Sequence, residues 1–287
     1  MKHRTLFRIL LGLCPLLFVR GSVSSAGDPS MGQKEDLPSF SFRYVEQPFE
    51  TIRAGWDVKR ERKSLDDNRL QRIISFSDPK TPLSVKCEVV EYPRFSAREW
   101  LVWFANRGGE DTGIINEVRS LNMRLAGLVE DPFIVHFALG DHNSADSFAP
   151  QSKELRPGEQ AVFSPRAGRS SDPYLPFFNV QGKTGGMIIA IGWSGQWQAE
   201  FERNADGTLS IRAGLQTAHF KLHPEEMVRI PRIVTIQWKG DDPLKGNNLL
   251  RQFMLSHVFP RRKGELVLPP ICASVAQAVA WRALGSV

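Results

Sequence analysis

Between Arg69 and Trp238 apolar side chains recur at every second position in short runs, the period of strands whose two faces meet different surroundings. Leu83, Val85, Cys87 and Val89 form one such run and predict a strand over Leu83 to Val90. The run Arg69 to Phe76 precedes it. Asp78-Pro79-Lys80-Thr81 lies between the two with proline preset for the second turn position, so the pair reads as a hairpin. Trp100 to Asn106 is the next strand, ending at Arg107-Gly108-Gly109. Further strands are predicted at Ile114 to Leu128 (allowing a break), Phe133 to Leu139, Gln160 to Phe163, Phe177 to Val180 and Met187 to Ile191. Trp197 to Arg203 and Leu209 to Ala213 flank Asn204-Ala205-Asp206-Gly207-Thr208, whose Asp-Gly pair is a strong hairpin signal. Ala218 to Leu222 and Ile233 to Trp238 close the series. Short strands at this spacing predict an all-β fold, a large β-sandwich.

The period changes once. After Asp242-Pro243, Leu244, Leu250, Phe253, Met254, His257 and Val258 recur at helical spacing, so one C-terminal helix is expected to about Phe259. Pro260-Arg261-Arg262-Lys263-Gly264 ends it and reads as a linker, and residues 261–287 as linker and atypical tail. Residues 27–39 are polar, carry proline and glycine, and read as a flexible lead-in, which leaves 40–260 for the sandwich and its helix.

The chain of 287 residues is 41% hydrophobic and 24% charged, a globular composition that excludes a disordered protein. Its net charge of +6 invites a nucleic-acid reading, but Lys2, Arg4, Arg8 and Arg20 lie in the first 26 residues with no acid among them. The remainder is close to neutral, so no nucleic-acid partner is expected. Those 26 residues have the layout of a signal peptide: Lys2, His3 and Arg4, an apolar run from Ile9 to Val19, then Ser24, Ser25 and Ala26. The run is shorter than the roughly 20 residues a bilayer needs and Pro15 interrupts it. Cleavage near Ala26 and a secreted or periplasmic chain without a membrane partner are therefore expected. Leu13 before Cys14 argues against lipidation, since such a site needs a small residue there. Export permits a disulfide, but Cys87 reads as a small buried residue, and whether it pairs with Cys272 stays open.

Little of the chain points to catalysis. His219 and His223 are four apart, yet on a strand that spacing spans roughly 13 Å, too far for one metal ion. Gly192-Trp193-Ser194-Gly195 resembles a nucleophile elbow superficially, but Gln196 stands where the second glycine belongs and a strand, not a helix, follows. The acid pairs Asp66-Asp67, Glu225-Glu226 and Asp241-Asp242 read as solvated turns. No metal or other cofactor is expected. A polar and aromatic set is more suggestive: Asp141, His142, Arg169, Asn179, Trp193 and Trp197, with Phe148, Phe177 and Phe178 near them in sequence. Aromatic faces stack on the C–H surface of sugars while Asp, Asn and Arg hydrogen-bond hydroxyls. The competing reading places both tryptophans and the phenylalanines in the core.

These stretches carry a resemblance. The strings Asp141 to Pro150, Gly168 to Ser171, Pro176 to Gln181, Ala190 to Trp197 and His219 to Glu226 with Arg229 resemble the N-terminal domain of bacterial α-galactosidases of the melibiase type, glycoside hydrolase family 36 and relatives. Glu91 to Phe95, Glu99-Trp100 and Asn247 to Met254 fit as well, so the likeness runs from about Phe40 to Arg261, with Gly192 to Trp197 its most specific part.

The resemblance implies a β-supersandwich of the galactose-mutarotase-like type, which in full-length enzymes precedes a (β/α)8 barrel holding both catalytic carboxylates. Retaining glycosidases need those two groups roughly 5 Å apart across the scissile bond. A barrel takes on the order of 250 residues; Pro269 to Ser274 looks like the approach to it, and Gln277 to Ala283 departs from the family. The reading is thus a non-catalytic domain from a truncated chain, with no catalytic residue assigned. Its implied partners are the missing barrel, a second copy in a homo-oligomer, or a galactoside-like carbohydrate. The alternative is a free-standing secreted carbohydrate-binding sandwich.

Overall fold

A computed structural model describes residues 38–141 and 144–267. Residues 1–26, expected to be a signal peptide, lie outside the described residues with His142, Cys272, the tail beyond Val267 and most of the expected lead-in. The chain begins with β1 (Ser41–Tyr44), β2 (Gln47–Pro48) and the one-turn helix α1 (Phe49–Ile52), followed by β3 (Asp57–Asp66), β4 (Arg69–Ser77), β5 (Leu83–Tyr92), β6 (Ala97–Asn106) and β7 (Ile115–Leu125). Next come β8 (Ile134–Ala138), β9 (Pro150–Glu154), β10 (Gln160–Phe163), β11 (Phe177–Gly182), β12 (Gly185–Gly192), β13 (Trp197–Arg203) and β14 (Leu209–Leu215). The last elements are β15 (His219–Phe220), β16 (Met227–Arg229), β17 (Arg232–Lys239), α2 (Leu244–Phe253) and a small hairpin of β18 (Arg261–Arg262) and β19 (Glu265–Leu266).

The strands form two antiparallel sheets, as the period-two runs predict. The seven-stranded sheet runs β10-β13-β14-β7-β1-β2 with β15 also on β7. The ten-stranded sheet runs β3-β4-β5-β6-β17-β12-β11-β8-β9 with β16 also on β6. Both predicted hairpins form. Asp78 accepts from Lys80 N at 3.0 Å and Thr81 Oγ1 at 2.7 Å in the first, and Gly207, at φ +86°, closes the second through Asn204 O. The elements absent from the expectation are β1, β2, α1, β16, the hairpin of β18 and β19 within the expected linker, and the polar strands β3 and β9, the residues of these last two all exposed.

The main core lies between the sheets. Val85, Cys87 and Val89 of β5, Trp100, Val102 and Phe104 of β6, and Phe178 and Val180 of β11 meet Phe201 of β13 and Ile211 of β14. The outer face of the larger sheet has a core of its own: Ile188, Ala190, Val234, Ile236 and Trp238 pack with Tyr92, Phe95 and Phe253 of α2. Two covered faces explain why β12 and β17 are apolar runs with no strict alternation. No helix among the described residues is long and apolar enough to cross a membrane.

Cys87 is a free, fully buried thiol, and burial pushes its pKa well above the usual range. Since the thiolate is the nucleophile, a thiol reagent is expected to modify Cys87 at least about a hundredfold more slowly in the folded protein than in denaturant. Peptide mapping checks this. Equal rates would place Cys87 outside the core.

Candidate functional site

Three connections meet at one end of the sandwich: 139–149, 164–176 and 192–196. Leu139 bridges to Tyr174, Gly140 N donates to Pro173 O at 2.7 Å and Asp141 N donates to Ser171 O at 3.0 Å. A Cβ on Gly140 would stand 1.6 Å from Ser171 O, so this close approach of two backbones requires glycine. Ser170 ties in the third connection: its Oγ donates to Trp193 O at 2.5 Å, and its carbonyl accepts from Trp197 Nε1 at 2.9 Å. Gln196 fastens the same junction, donating to Pro165 O at 2.6 Å and Gln216 Oε1 at 2.6 Å and accepting from Gly168 N at 3.1 Å.

The surface of this junction is polar. Asp172 is buried, and its carboxylate faces the exposed Arg166 at 3.3 Å and Arg169 at 3.6 Å. Asp141 is exposed and accepts from Ser147 Oγ at 3.4 Å. Trp193 is half-buried against the core, with the Arg229 guanidinium 5.3 Å from its ring centroid. Phe148, at φ +66°, is 58% exposed.

Of the six candidates, the structure brings Asp141, Arg169 and Trp193 to one surface, while His142 lies outside the described residues. Trp197 and Asn179 sit elsewhere. Trp197 has no exposed surface and packs edge-on against Phe178 at 6.0 Å, so neither ring face is open to a ligand. Asn179 is 3% exposed and lies under α2 on the outer face of the larger sheet. Its Oδ1 accepts from Trp238 Nε1 at 2.8 Å, and its Nδ2 donates to Pro243 O at 2.9 Å and Asn247 Oδ1 at 3.1 Å. Both side chains satisfy their polar groups internally, which is the behaviour of core residues. Asp172 and Gln196 were not anticipated as site residues; Gln196 lies inside a resembling string, and Asp172 directly follows the string Gly168 to Ser171.

The other candidates have local roles. His223 Nδ1 is 2.7 Å from Asp111 Oδ1, and Asp111 is also held by Lys221 at 2.6 Å, which with His223 draws its carboxyl below the usual range. Among the described residues no group of three or more His, Cys, Asp or Glu could hold a metal ion. Asp242 Oδ1 accepts from Leu244 N at 2.9 Å at the start of α2, and Glu226 from His223 N at 2.8 Å, so the acid pairs serve turns. A strand, β13, follows the Gly192 to Gly195 string, so it is no nucleophile elbow.

No protein-family model and no curated protein matches the chain. Solved structures do. The α-galactosidase of Lactobacillus brevis matches with a TM-score of 0.58 and 18% identity, over 79% of this chain and 32% of its own. A family 36 α-galactosidase of Geobacillus stearothermophilus matches with a TM-score of 0.51 and 16% identity, over 72% and 30%. The galactosidase domain of an α-galactosidase-sucrose kinase does so with a TM-score of 0.51 and 15% identity, over 70% and 30%. The fold is that of part of the family 36 α-galactosidases. At these identities the likeness is one of fold, and the chain spans about a third of the length of those enzymes.

Proposed function

We propose that the chain serves as the non-catalytic, N-terminal-type β-sandwich domain of an exported α-galactosidase-like glycoside hydrolase, where it supports a catalytic barrel and lends loop residues to the margin of a sugar site. The observation that carries this reading is the sandwich match itself, which recurs in several such enzymes and involves only about a third of each. The end of α2 is consistent with it. Leu255, Val258, Phe259, Leu266 and Val267 expose apolar surface there, suited to packing against a further body, a barrel or a second copy. Export rests on the charged start, apolar run and small residues of positions 1–26.

The loop junction favours one alternative, a sandwich that binds a galactoside-like sugar by itself, because Asp141, Arg169 and the half-buried Trp193 share one surface. One set of measurements separates the readings. The purified chain is expected to show no turnover of aryl α-galactosides. Turnover abolished by replacing one acid of this chain would sink the scaffold reading. Titration with galactose and α-galactosides tests the alternative: if a site forms, Trp193→Ala and Arg169→Ala should each weaken it by about tenfold or more at unchanged stability. Absence of binding at tens of millimolar would end the free-standing reading and leave the scaffold intact.

A further inference from the structure

Strand β3 is one edge of the larger sheet and is exposed along its whole length. Among the described residues no strand pairs with its free side. An exposed edge is a template for pairing with another chain, and folded proteins usually keep such edges short, bulged or charged. Strand β3 is not short, and its register on β4 is unbroken from Asp57 to Ser64, shifting only between Ser64 and Asp66. At its other end a 3₁₀ turn over Arg53–Gly55 leads into it. Between these limits Asp57 to Lys63 is a regular stretch about 20 Å long.

The charges on this stretch alternate in sign. Arg60 is opposite Ile74, and Ile74 is opposite Cys87 in the core between the sheets, so Val58, Arg60 and Arg62 are on the inner face. Asp57, Lys59, Glu61 and Lys63 share the outer face, opposite Ser77, Ser75, Ile73 and Gln71 of β4, none of which is charged. Lys59 Nζ stands 2.8 Å from the Glu61 carboxylate, whereas Asp57 and Lys63 make no ion pair among the described residues. An edge protected by repulsion would carry one sign on this face. Here the order is minus, plus, minus, plus.

That order is complementary to itself. Two copies of one edge that pair antiparallel are related by a two-fold axis normal to the sheet, so each residue meets one from the same face. With the axis at Arg60, Asp57 meets Lys63 and Lys59 meets Glu61, each twice, and every outer charge faces its opposite. An axis at Glu61 would set Lys59 against Lys63 and Glu61 against itself, and one at Lys59 would set Asp57 against Glu61. An axis at Arg62 matches only Glu61 with Lys63 and carries the pairing into the register shift after Ser64. On the inner face the Arg60 axis lays the Arg62 stem along Val58 and brings the two Arg60 side chains together, one like-charged pair against four of opposite sign.

We propose that β3 is an interface between two copies of this chain, joined antiparallel about an axis at Arg60 into one continuous sheet. The proposal does not rest on the glycosidase reading. Sedimentation of the intact chain over a dilution series is expected to show a monomer–dimer equilibrium that weakens as salt is raised. Asp57→Lys and Lys63→Glu each place like charges together at two points across the axis, and each should raise the dissociation constant about tenfold or more with an unchanged circular dichroism spectrum. Combining the two substitutions restores opposite signs and should restore the dimer. Lys80→Glu, which changes the net charge as Lys63→Glu does but lies in the exposed turn between β4 and β5, should leave it intact. A chain that stays monomeric at every concentration overturns the proposal. So does a dimer that both single variants leave intact, as pairing through the apolar end of α2 would give, or a double variant as weak as the single ones.

Discussion

Trp197→Ala is expected to destabilise the protein by about 3–5 kcal/mol, the range for removing a fully buried large aromatic side chain. The ring has no exposed surface, lies between the sheets and packs edge-on against Phe178 at 6.0 Å. Its Nε1 donates to Ser170 O at 2.9 Å, and Ser170 Oγ holds Trp193 O, so the substitution removes both core volume and a tie between two loops of the junction. Trp197→Phe refills most of the space and loses only the hydrogen bond, so about 1 kcal/mol is expected. Urea unfolding measures both. The midpoint should fall while its denaturant dependence stays unchanged, since the same surface is exposed on unfolding. A loss under about 1 kcal/mol for Trp197→Ala would mean that the ring is not core, and would return Trp197 to the sugar-binding candidates.

The alternation along β5 and β13 was sufficient to predict those strands, because one face of each is mainly core and the other is not. Strand β3 was not legible for the complementary reason. Asp57 to Asp66 is polar on both faces, and what makes it a strand is its ladder to β4 and the apolar partners, such as Ile74 and Phe76, that β4 presents. The same holds for β9, a polar edge strand on β8. Arg203 shows the limit from the other side. A charged side chain reads as surface, yet it is 1% exposed, donates to Leu128 O at 2.6 Å and Asp131 O at 2.9 Å, and stacks its guanidinium 4.6 Å from the Phe133 ring centroid. Carbonyls from a distant loop satisfy it, and sequence spacing holds no trace of them. In the loop junction, the role of Asp172 depends on a three-dimensional meeting of the chain with Arg166 and Arg169. Composition alone could not separate Trp193 from Trp197. They lie four residues apart, one at the rim and one inside, because β13 begins between them.

Asn179→Ala is expected to destabilise the protein by about 2–4 kcal/mol, through lost hydrogen bonds and a buried donor left without a partner. Asn179 is 3% exposed and Trp238 4%, and Trp238 Nε1 donates to Asn179 Oδ1 at 2.8 Å. On its other side the amide donates to Pro243 O at 2.9 Å, fixing the first turn of α2 on the sheet. The helix approaches closely because position 246 is glycine: a Cβ there would stand 2.6 Å from Trp238 Nε1 and 3.1 Å from Asn179 Nδ2. Asn179, Trp238 and Gly246 are thus one packing unit, and Gly246→Ala should disturb it as Asn179→Ala does. Asn247→Ala removes a single contact at 3.1 Å from an exposed residue and should cost under about 1 kcal/mol. Denaturant unfolding, with Trp238 fluorescence as a local reporter, gives the comparison. A ligand-binding asparagine would show the reverse pattern, with sugar affinity lost at unchanged stability. That result would move Asn179 from the helix seat to the candidate site.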